Sequence, residues 1–245
     1  MDKVFFRGTP VENFFMEVVA YLRPPSPDAK LVAFAGAHIY KTLAEVQEHL
    51  QECVAYAKRY HVYLVTGLFI HNHNLCLGLI GPEGDLVCRQ AANHLSMDLQ
   101  ETLEPEEKQA VVQTDLCNFT LCVDTDIYYP QVLRTAALKG ADVAISIQYL
   151  EEGEDHPSRL MGSVWNAAQT NNIYIVNLSG GACTVACPAL LTRNRNGYLV
   201  RQTSTLPVRF GFNTRRLDEI RSQFPLLENL NTSLVQNYEK ELKRW

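Results

Sequence analysis

The sequence predicts an α/β fold in which two β-sheets pack face to face and helices cover both outer faces, giving an α-β-β-α four-layer sandwich. Apolar strand-like segments alternate with amphipathic helix-like segments along the chain. They fall into two β-rich halves, each flanked by a pair of helices, and such elements bury their apolar sides as layers. The 245 residues can form one large core, so we predict a single domain over 1–245 with a helical, charged tail from about residue 213.

The individual elements follow from periodicity and from turn residues. In the first half we predict a strand at 4–6, a helix opened by Thr9 and Pro10 and ending near Leu22, a strand at 31–37, a helix at 42–60, and strands at 62–70 and 75–81 with a tight turn at 82–85. In the second half we predict strands at 119–123, 141–148 and 173–179, helices at 130–140 and 162–172, and a hairpin over 187–204 that turns at Asn196-Gly197.

Charge and composition narrow the classes of function. The net charge of -5 is spread without long runs of one sign, so the sequence shows no basic patch for nucleic acid. No apolar run approaches the roughly 20 residues that a membrane helix needs. Seven cysteines, an odd number without framework spacing, are typical of reduced thiols. We therefore expect a soluble cytoplasmic protein that binds neither nucleic acid nor a membrane.

Two motifs resemble a known family. Residues 78–95, "GLIGPEGDLVCRQAANHL", are similar to the segment of the nitrilase, or carbon–nitrogen hydrolase, superfamily in which a "PdG" turn leads to "YRKxHL". Residues 128–143, "YYPQVLRTAALKGADV", resemble its "RFPExxRxxAxxGAD", and "IRSQFPLL" resembles its closing Arg-containing stretch. The resemblance implies a sandwich of the nitrilase type, paired through its helices into a homodimer or larger homo-oligomer.

The resemblance also implies a catalytic triad, whose members do not stand at the matching positions here. The family uses a glutamate base, a lysine that stabilises the tetrahedral intermediate, and a cysteine nucleophile. The glutamate belongs at the end of "LVAFAGA", where the pair reads Ala35-Gly36. The lysine belongs two residues before His94, at Ala92.

The nucleophile position depends on the register of "LCVDTDIYYPQ". Placing Cys122 on the family's cysteine requires two extra residues before Pro130. Without a gap, Asp124 takes the nucleophile position and Asp126 the family aspartate. We favour the ungapped register, because an insertion inside a tight strand-to-helix turn is costly. Cys122 then lies on the same strand face as Asp124.

Three hypotheses follow. The first is a ligand- or partner-binding pseudoenzyme that has lost amide and nitrile hydrolysis, with triad positions Gly36, Ala92 and Asp124. The second is an active carbon–nitrogen hydrolase using Cys122. The third is a repurposed site in which Asp124 and Asp126 form an acid–base pair or bind a cation.

A small-molecule ligand is expected to contact residues near the nucleophile position, and no cofactor or metal is expected. The histidines His71 and His73 have a spacing that metal sites sometimes use, but no third ligand is near. The candidate ligand-contacting residues are Asp124, Asp126, Tyr128, Gln148, Tyr149 and Glu101.

Overall fold

A computed structural model shows the predicted α/β architecture of two stacked sheets with helices on their outer sides. It describes residues 12–35, 38–149 and 157–243. The strand predicted at 4–6 lies outside these residues, as does Gly36. The helices are α1 (Leu43–Tyr60), α2 (Met97–Gln100), α3 (Pro130–Leu138), α4 (Pro157–Asn171), α5 (Thr214–Gln223) and α6 (Thr232–Leu242).

The first sheet, sheet A, contains eight strands within the described residues. In spatial order seven of them run β14-β1-β2-β4-β6-β5-β3, and β7 also pairs with β6. Their bounds are β1 (Asn13–Val19), β2 (Ala29–Phe34), β3 (Ile39–Tyr40), β4 (Tyr63–Val65), β5 (Leu68–His71), β6 (Asn74–Ile80), β7 (Leu86–Ala91) and β14 (Val208–Asn213).

The second sheet, sheet B, contains six strands within the described residues, in the order β13-β12-β11-β10-β9-β8. Strands β9, β10 and β11 run parallel, so their carboxyl ends meet at one edge. The bounds are β8 (Val112–Gln113), β9 (Asn118–Val123), β10 (Val143–Gln148), β11 (Tyr174–Ser179), β12 (Ala182–Ala186) and β13 (Tyr198–Thr203).

The main core lies between the two sheets, because alternate residues of each strand face the opposite sheet. Met16 and Leu31 of sheet A and Leu121 and Ile145 of sheet B belong to this cluster. The other faces of the strands pack on helices. Sheet B packs on α3 and α4 in a second cluster, and sheet A packs on α1 in two more.

The prediction of a helix from Thr9 to Leu22 is wrong for its described part, which forms strand β1. Apolar residues at 11, 14, 15, 18 and 19 fit a helical period, but the apolar residues at 14, 16 and 18 also fit the alternation of a strand. Phe14, Met16 and Val18 face the core between the sheets, and aromatic and β-branched residues favour strands. The nine residues between β1 and β2 form a proline-rich connection with no helix.

Two predictions in the second half need correction. The hairpin is formed by β12 and β13, so its first strand precedes Cys187, and residues 187–197 connect the strands instead of a two-residue turn. The backbone N–H of Cys187 donates to the carbonyl of Gly197 (2.9 Å), which closes this longer loop. The tail was predicted from about residue 213, but β14 just before it was missed.

Arg221 ties α5 to sheet B. Its guanidinium forms an ion pair with Asp142 (2.5 Å) at the start of β10 and donates to the carbonyl groups of Ala141 (2.7 Å) and Asn172 (3.0 Å). All three nitrogens therefore have partners. This contact gives the arginine of the "IRSQFPLL" stretch a structural role, because it attaches α5 to sheet B.

The helix predicted at 42–60 is confirmed as α1, which begins with a capping box between Thr42 and Glu45. Its buried face includes His49, which is 4% exposed. The Nε2 atom of His49 accepts a hydrogen bond from the N–H of Gly67 (3.2 Å), and its ring stacks on Tyr40. Burial, followed by the charge of His38, lowers the pKa of His49 to about 4.

The depressed pKa of His49 predicts an acid-sensitive fold. Between pH 6.5 and 4 the unfolded chain binds a proton at His49 that the folded chain does not. The contribution of neutral His49 to the free energy of unfolding is therefore complete above pH 6.5 and declines as the pH falls toward 4. We expect His49→Gln to reduce the difference in unfolding free energy between pH 7 and 4.5 by about 2 kcal/mol, measured by urea denaturation. The exposed His73→Gln is the control, and equal pH dependence in both variants would contradict the prediction.

Candidate functional site

The candidate site lies at the carboxyl ends of β7 in sheet A and of β9 and β10 in sheet B. Ala92 follows β7, Asp124 follows β9, and Tyr149 follows β10. Gly36, the third position predicted for the triad, lies outside the described residues.

Asp124 directly follows β9 and is the first residue of a short 3-10 helix, Asp124–Tyr128. Its φ of 50° lies in the left-handed region, which is uncommon for any residue other than glycine, although aspartate tolerates it better than most. The side chain is 1% exposed, and its Oδ1 accepts a hydrogen bond from the N–H of Tyr149 (3.0 Å). Backbone strain of this kind tends to occur at functional sites, and here it falls at Asp124.

Asp126 is fully buried, and both its oxygens already accept hydrogen bonds. Oδ2 accepts from the backbone N–H of Asn93 (2.9 Å), and Oδ1 accepts from the backbone N–H of His94 (2.8 Å). The ring Nδ1 of His94 lies 2.9 Å from Oδ1 and must carry the proton, because a carboxylate can only accept. Asp126 therefore holds the segment after β7 in place, and its oxygens have little remaining capacity for a ligand.

His94 is fixed from three sides. Besides the Asp126 contact, its ring stacks on Tyr129 with centroids 3.6 Å apart, and its Nε2 lies 3.4 Å from Nε2 of Gln131. These contacts join the end of β7 in sheet A to the start of α3 on sheet B. The residue thus connects the two halves of the sandwich at the site.

Ala92 is completely buried and belongs to the core between the sheets. Its backbone N–H donates to the carbonyl of Leu75 (2.8 Å), and its carbonyl accepts from the N–H of Glu106 (2.7 Å). Its methyl group packs in the same cluster as Leu95 and Leu103. A methyl group cannot donate a hydrogen bond or carry charge, so this position offers nothing to a developing oxyanion.

Cys122 is 0% exposed and packs in the cluster between sheet B and its helices, with Ile127, Leu133 and Ala144. Burial raises the pKa of its thiol well above the usual value, and the negative charge of Asp126 raises it further. The thiolate is the nucleophilic form of cysteine, and this environment disfavours it.

Gln148 is the remaining buried candidate, at the end of β10. It is 1% exposed, and neither its Oε1 nor its Nε2 has a hydrogen-bond partner in the described structure. Ser146 and Asn177 are direct neighbours across β10 and β11, and the Oδ1 of Asn177 is also buried without a partner. The Oγ of Ser146 is buried as well and faces the thiol of Cys122, its neighbour on β9. Their strand neighbours face the core between the sheets, so these side chains point to the helix side.

The sequence reasoning missed Ser146 and Asn177. The signal was available, because each is a polar residue inside a strand that is otherwise apolar, "VAISIQ" and "YIVNLS". Buried polar groups almost always have hydrogen-bond partners, so the unpartnered atoms of Gln148 and Asn177 mark a specific place in the fold. We call Ser146, Gln148 and Asn177 the polar cluster.

The other candidates lie at the margin of the site. Tyr149 is 39% exposed, and Tyr128 packs under the guanidinium of Arg159, whose Cζ lies 4.1 Å from the ring centroid. Glu101 is exposed at the end of α2. Among the described residues no group of three His, Cys, Asp or Glu side chains is placed to hold a metal ion.

The comparisons with known proteins agree with this geometry. The family model for carbon–nitrogen hydrolases matches residues 13–179. The chain belongs to the carbon–nitrogen hydrolase family. The matched range begins with β1 and ends with β11, so it includes every described residue of the candidate site. No curated protein matches the chain in sequence.

Solved structures of carbon–nitrogen hydrolases show the same fold at low sequence identity. Nit3 of Saccharomyces cerevisiae, a nitrilase-superfamily member, is 16% identical with a TM-score of 0.72, covering 89% of this chain and 96% of its own. A carbon–nitrogen hydrolase from Helicobacter pylori G27 is 14% identical with a TM-score of 0.75, and the match covers 93% of this chain and 98% of its own. A mutant of the amidase from Nesterenkonia sp. AN1 in complex with butyramide is 14% identical with a TM-score of 0.68, covering 92% and 97%.

Proposed function

We propose that this carbon–nitrogen hydrolase fold is a pseudoenzyme that binds a small polar molecule without hydrolysing it. The observation that carries the proposal is the burial of Cys122 in the helix-side core, next to a left-handed turn at Asp124, the residue that the ungapped register assigns to the nucleophile position. The sequence supports the same proposal, because Ala92 stands at the position predicted for the catalytic lysine and Gly36 at the position predicted for the catalytic glutamate.

The chemistry explains why these changes together remove hydrolysis. A thiol that attacks an amide needs a base to take its proton and a cation to stabilise the oxyanion. One oxyanion-stabilising group alone is typically worth about 3–4 kcal/mol of transition-state stabilisation. Here the position predicted for the cation is a buried methyl group, and burial raises the pKa of the Cys122 thiol, which disfavours the thiolate.

The polar cluster supports binding of a ligand. A buried amide without hydrogen bonds costs about 1–3 kcal/mol, and a ligand that supplies the missing bonds removes that cost. Gln148 presents a donor and an acceptor side by side, and Asp124 ends the adjacent strand. We propose Asp124, Tyr128, Gln148 and Tyr149 as ligand contacts, with Asp126 as a positioning residue and Glu101 at the exposed margin.

The two alternative functions have less support. An active hydrolase using Cys122 needs an accessible, ionisable thiol, and burial of Cys122 counts against it. An acid–base pair of Asp124 and Asp126 needs free oxygens on both, and the hydrogen bonds from Asn93 and His94 occupy those of Asp126.

We also propose that the protein functions in the cytoplasm. All seven cysteines are free thiols, which suits a reducing compartment. No helix in the described part of the chain is long and apolar enough to cross a bilayer.

The test combines turnover with binding, using butyramide as the probe. We expect no ammonia release above background from the purified protein. We expect butyramide at about ten times its Kd to raise the melting temperature by about 3 °C, because that occupancy adds about 1.4 kcal/mol. Gln148→Leu should abolish the shift, whereas the matched surface change Gln113→Leu should retain it.

Turnover that disappears in Cys122→Ala but persists in Cys88→Ala would contradict the proposal and establish the hydrolase alternative. A melting shift that survives in Gln148→Leu would place binding elsewhere and contradict the role of the polar cluster.

A further inference from the structure

Asp124 and Gln148 follow one another across neighbouring strands on the helix side of sheet B. The register pairs Val123 with Ile147, so the next residues, Asp124 and Gln148, are adjacent. The carboxylate is fixed there, because its Oδ1 accepts a hydrogen bond from the N–H of Tyr149 (3.0 Å). Asp124 and Gln148 are each 1% exposed. A buried carboxylate therefore adjoins the polar cluster.

Negative charge extends over the layer between sheet B and its helices. Burial raises the pKa of the Cys122 thiol, and the charges of Asp126 and Asp124 raise it further. Both carboxylates therefore act on this layer, in which Cys122 is packed. The guanidinium of Arg159 stacks on Tyr128 at the margin, but Arg159 is exposed, so solvent screens its charge. The electrostatic potential at the polar cluster is thus negative and favours a cation.

The two amide side chains of the cluster add hydrogen-bond acceptors to this charge. Oε1 of Gln148 and Oδ1 of Asn177 are buried and have no hydrogen-bond partner in the described structure. Together with the carboxylate of Asp124 they form a set of three acceptor groups on one face of the sheet. A primary ammonium group has three N–H donors and no acceptor, so it complements this set. A ligand with a carboxylate or phosphate group would instead be repelled by Asp124.

The edge of sheet B beside the cluster has room for a chain attached to such a group. Tyr149, which follows Gln148, is 39% exposed. Gly181 lies in the turn after β11, and a Cβ atom added to it would meet nothing within 4 Å among the described residues beyond its chain neighbours. Since β10 and β11 are parallel neighbours, both residues lie at the same end of the sheet. An alkyl chain can therefore extend toward solvent from a buried head group.

We propose that the ligand of the polar cluster carries a primary ammonium group on a short alkyl chain. This inference rests on the proposed function, since it names the ligand class for the same site. The ammonium group donates to the carboxylate of Asp124 and to the amide oxygens of Gln148 and Asn177. Charge-assisted hydrogen bonds are about twice as strong as neutral ones, so the amine should bind more tightly than a neutral ligand of the same length.

The first test compares ligands of one chain length by isothermal titration at pH 7 and constant ionic strength. n-Butylammonium, 1-butanol and butyrate carry a cation, a neutral hydroxyl group and an anion on the same alkyl chain. We expect a Kd for n-butylammonium at least about ten times lower than that for 1-butanol, and no binding of butyrate. N,N,N-Trimethylbutylammonium keeps the charge but has no N–H donor, and it should bind as weakly as 1-butanol.

The second test removes the charge of Asp124. Asp124→Asn keeps an acceptor for the N–H of Tyr149, and asparagine tolerates a left-handed φ, so the variant should fold. We expect the ratio of the Kd for 1-butanol to that for n-butylammonium to fall from about ten or more to about one. The matched control Asp98→Asn removes an exposed carboxylate and should keep the ratio of the unaltered protein. The ligand comparison needs no variant, so it decides the proposal even where Asp124→Asn does not fold.

The outcomes separate this inference from the proposed function. Binding of n-butylammonium that is no tighter than that of 1-butanol, or a preference that persists in Asp124→Asn, would overturn the inference. If butyramide binds and Gln148→Leu abolishes its binding while n-butylammonium shows no preference, only the ligand class is wrong. If neither butyramide nor n-butylammonium binds, the polar cluster is not a ligand site and both proposals fail.

Discussion

Ala92→Lys, which adds a lysine at the position predicted for the family's catalytic lysine, is expected to destabilise the fold by about 4 kcal/mol. Ala92 is completely buried between the sheets, and its backbone is held by Leu75 and Glu106. A lysine there must displace packed side chains and bury an ammonium group, which the surrounding apolar cluster cannot pair. The free energy of unfolding, measured in urea, gives the result directly.

The matched control for Ala92→Lys is Glu107→Lys, an exposed position in the segment that follows. This variant should change stability by less than about 0.5 kcal/mol. If Ala92→Lys folded with native stability, the position would have room and water for a cation. The proposal that the hydrolytic site is closed at this position would then fail.

Asp126→Ala is expected to cost about 4 kcal/mol, because it leaves buried donors without partners. The carboxylate accepts the backbone N–H groups of Asn93 and His94 and faces Nδ1 of His94. Charge-assisted hydrogen bonds are about twice as strong as neutral ones, and this group makes three contacts from one buried position. The loss should appear as a lower urea midpoint with an unchanged slope.

Two further variants separate the parts of the Asp126 contact. His94→Ala removes the ring and should cost only about 1–2 kcal/mol, because the two backbone hydrogen bonds remain. Asp28→Ala removes an exposed carboxylate and its ion pair with Arg209 and should cost less than about 1 kcal/mol. Asp126→Ala with a cost no larger than that of Asp28→Ala would show that the buried carboxylate does not hold the segment after β7.

The sequence was sufficient for the layered fold and for the elements with strong end signals. α1 has its capping box, and α3 has proline at its first turn, so both were placed correctly. Residues 12–22 were misassigned because a short run of apolar residues fits a period of 3.6 and a period of 2 alike. β14 pairs with β1 although the two strands are about 200 residues apart in the sequence, and a local sequence pattern cannot predict such a distant pairing.

The candidate site was only partly predictable for a related reason. The ungapped register predicts Asp124 at the nucleophile position, but the sequence could not report the left-handed φ of this residue. The role of Asp126 depends on backbone N–H groups at Asn93 and His94, which lie more than 30 residues away in the sequence. Hydrogen bonds to a distant backbone leave no side-chain pattern, so a buried positioning carboxylate looked the same as a ligand-binding one.

The pairing of β1 with β14 has a consequence for synthesis on the ribosome. Asn13 lies opposite Asn213, so the second edge of β1 stays open until β14, about 190 residues later, has been translated. An unpaired edge with Phe14, Met16 and Val18 on one face is a surface on which nascent chains can associate. Chaperone dependence during translation should therefore end only when residues 208–213 emerge and complete the sheet.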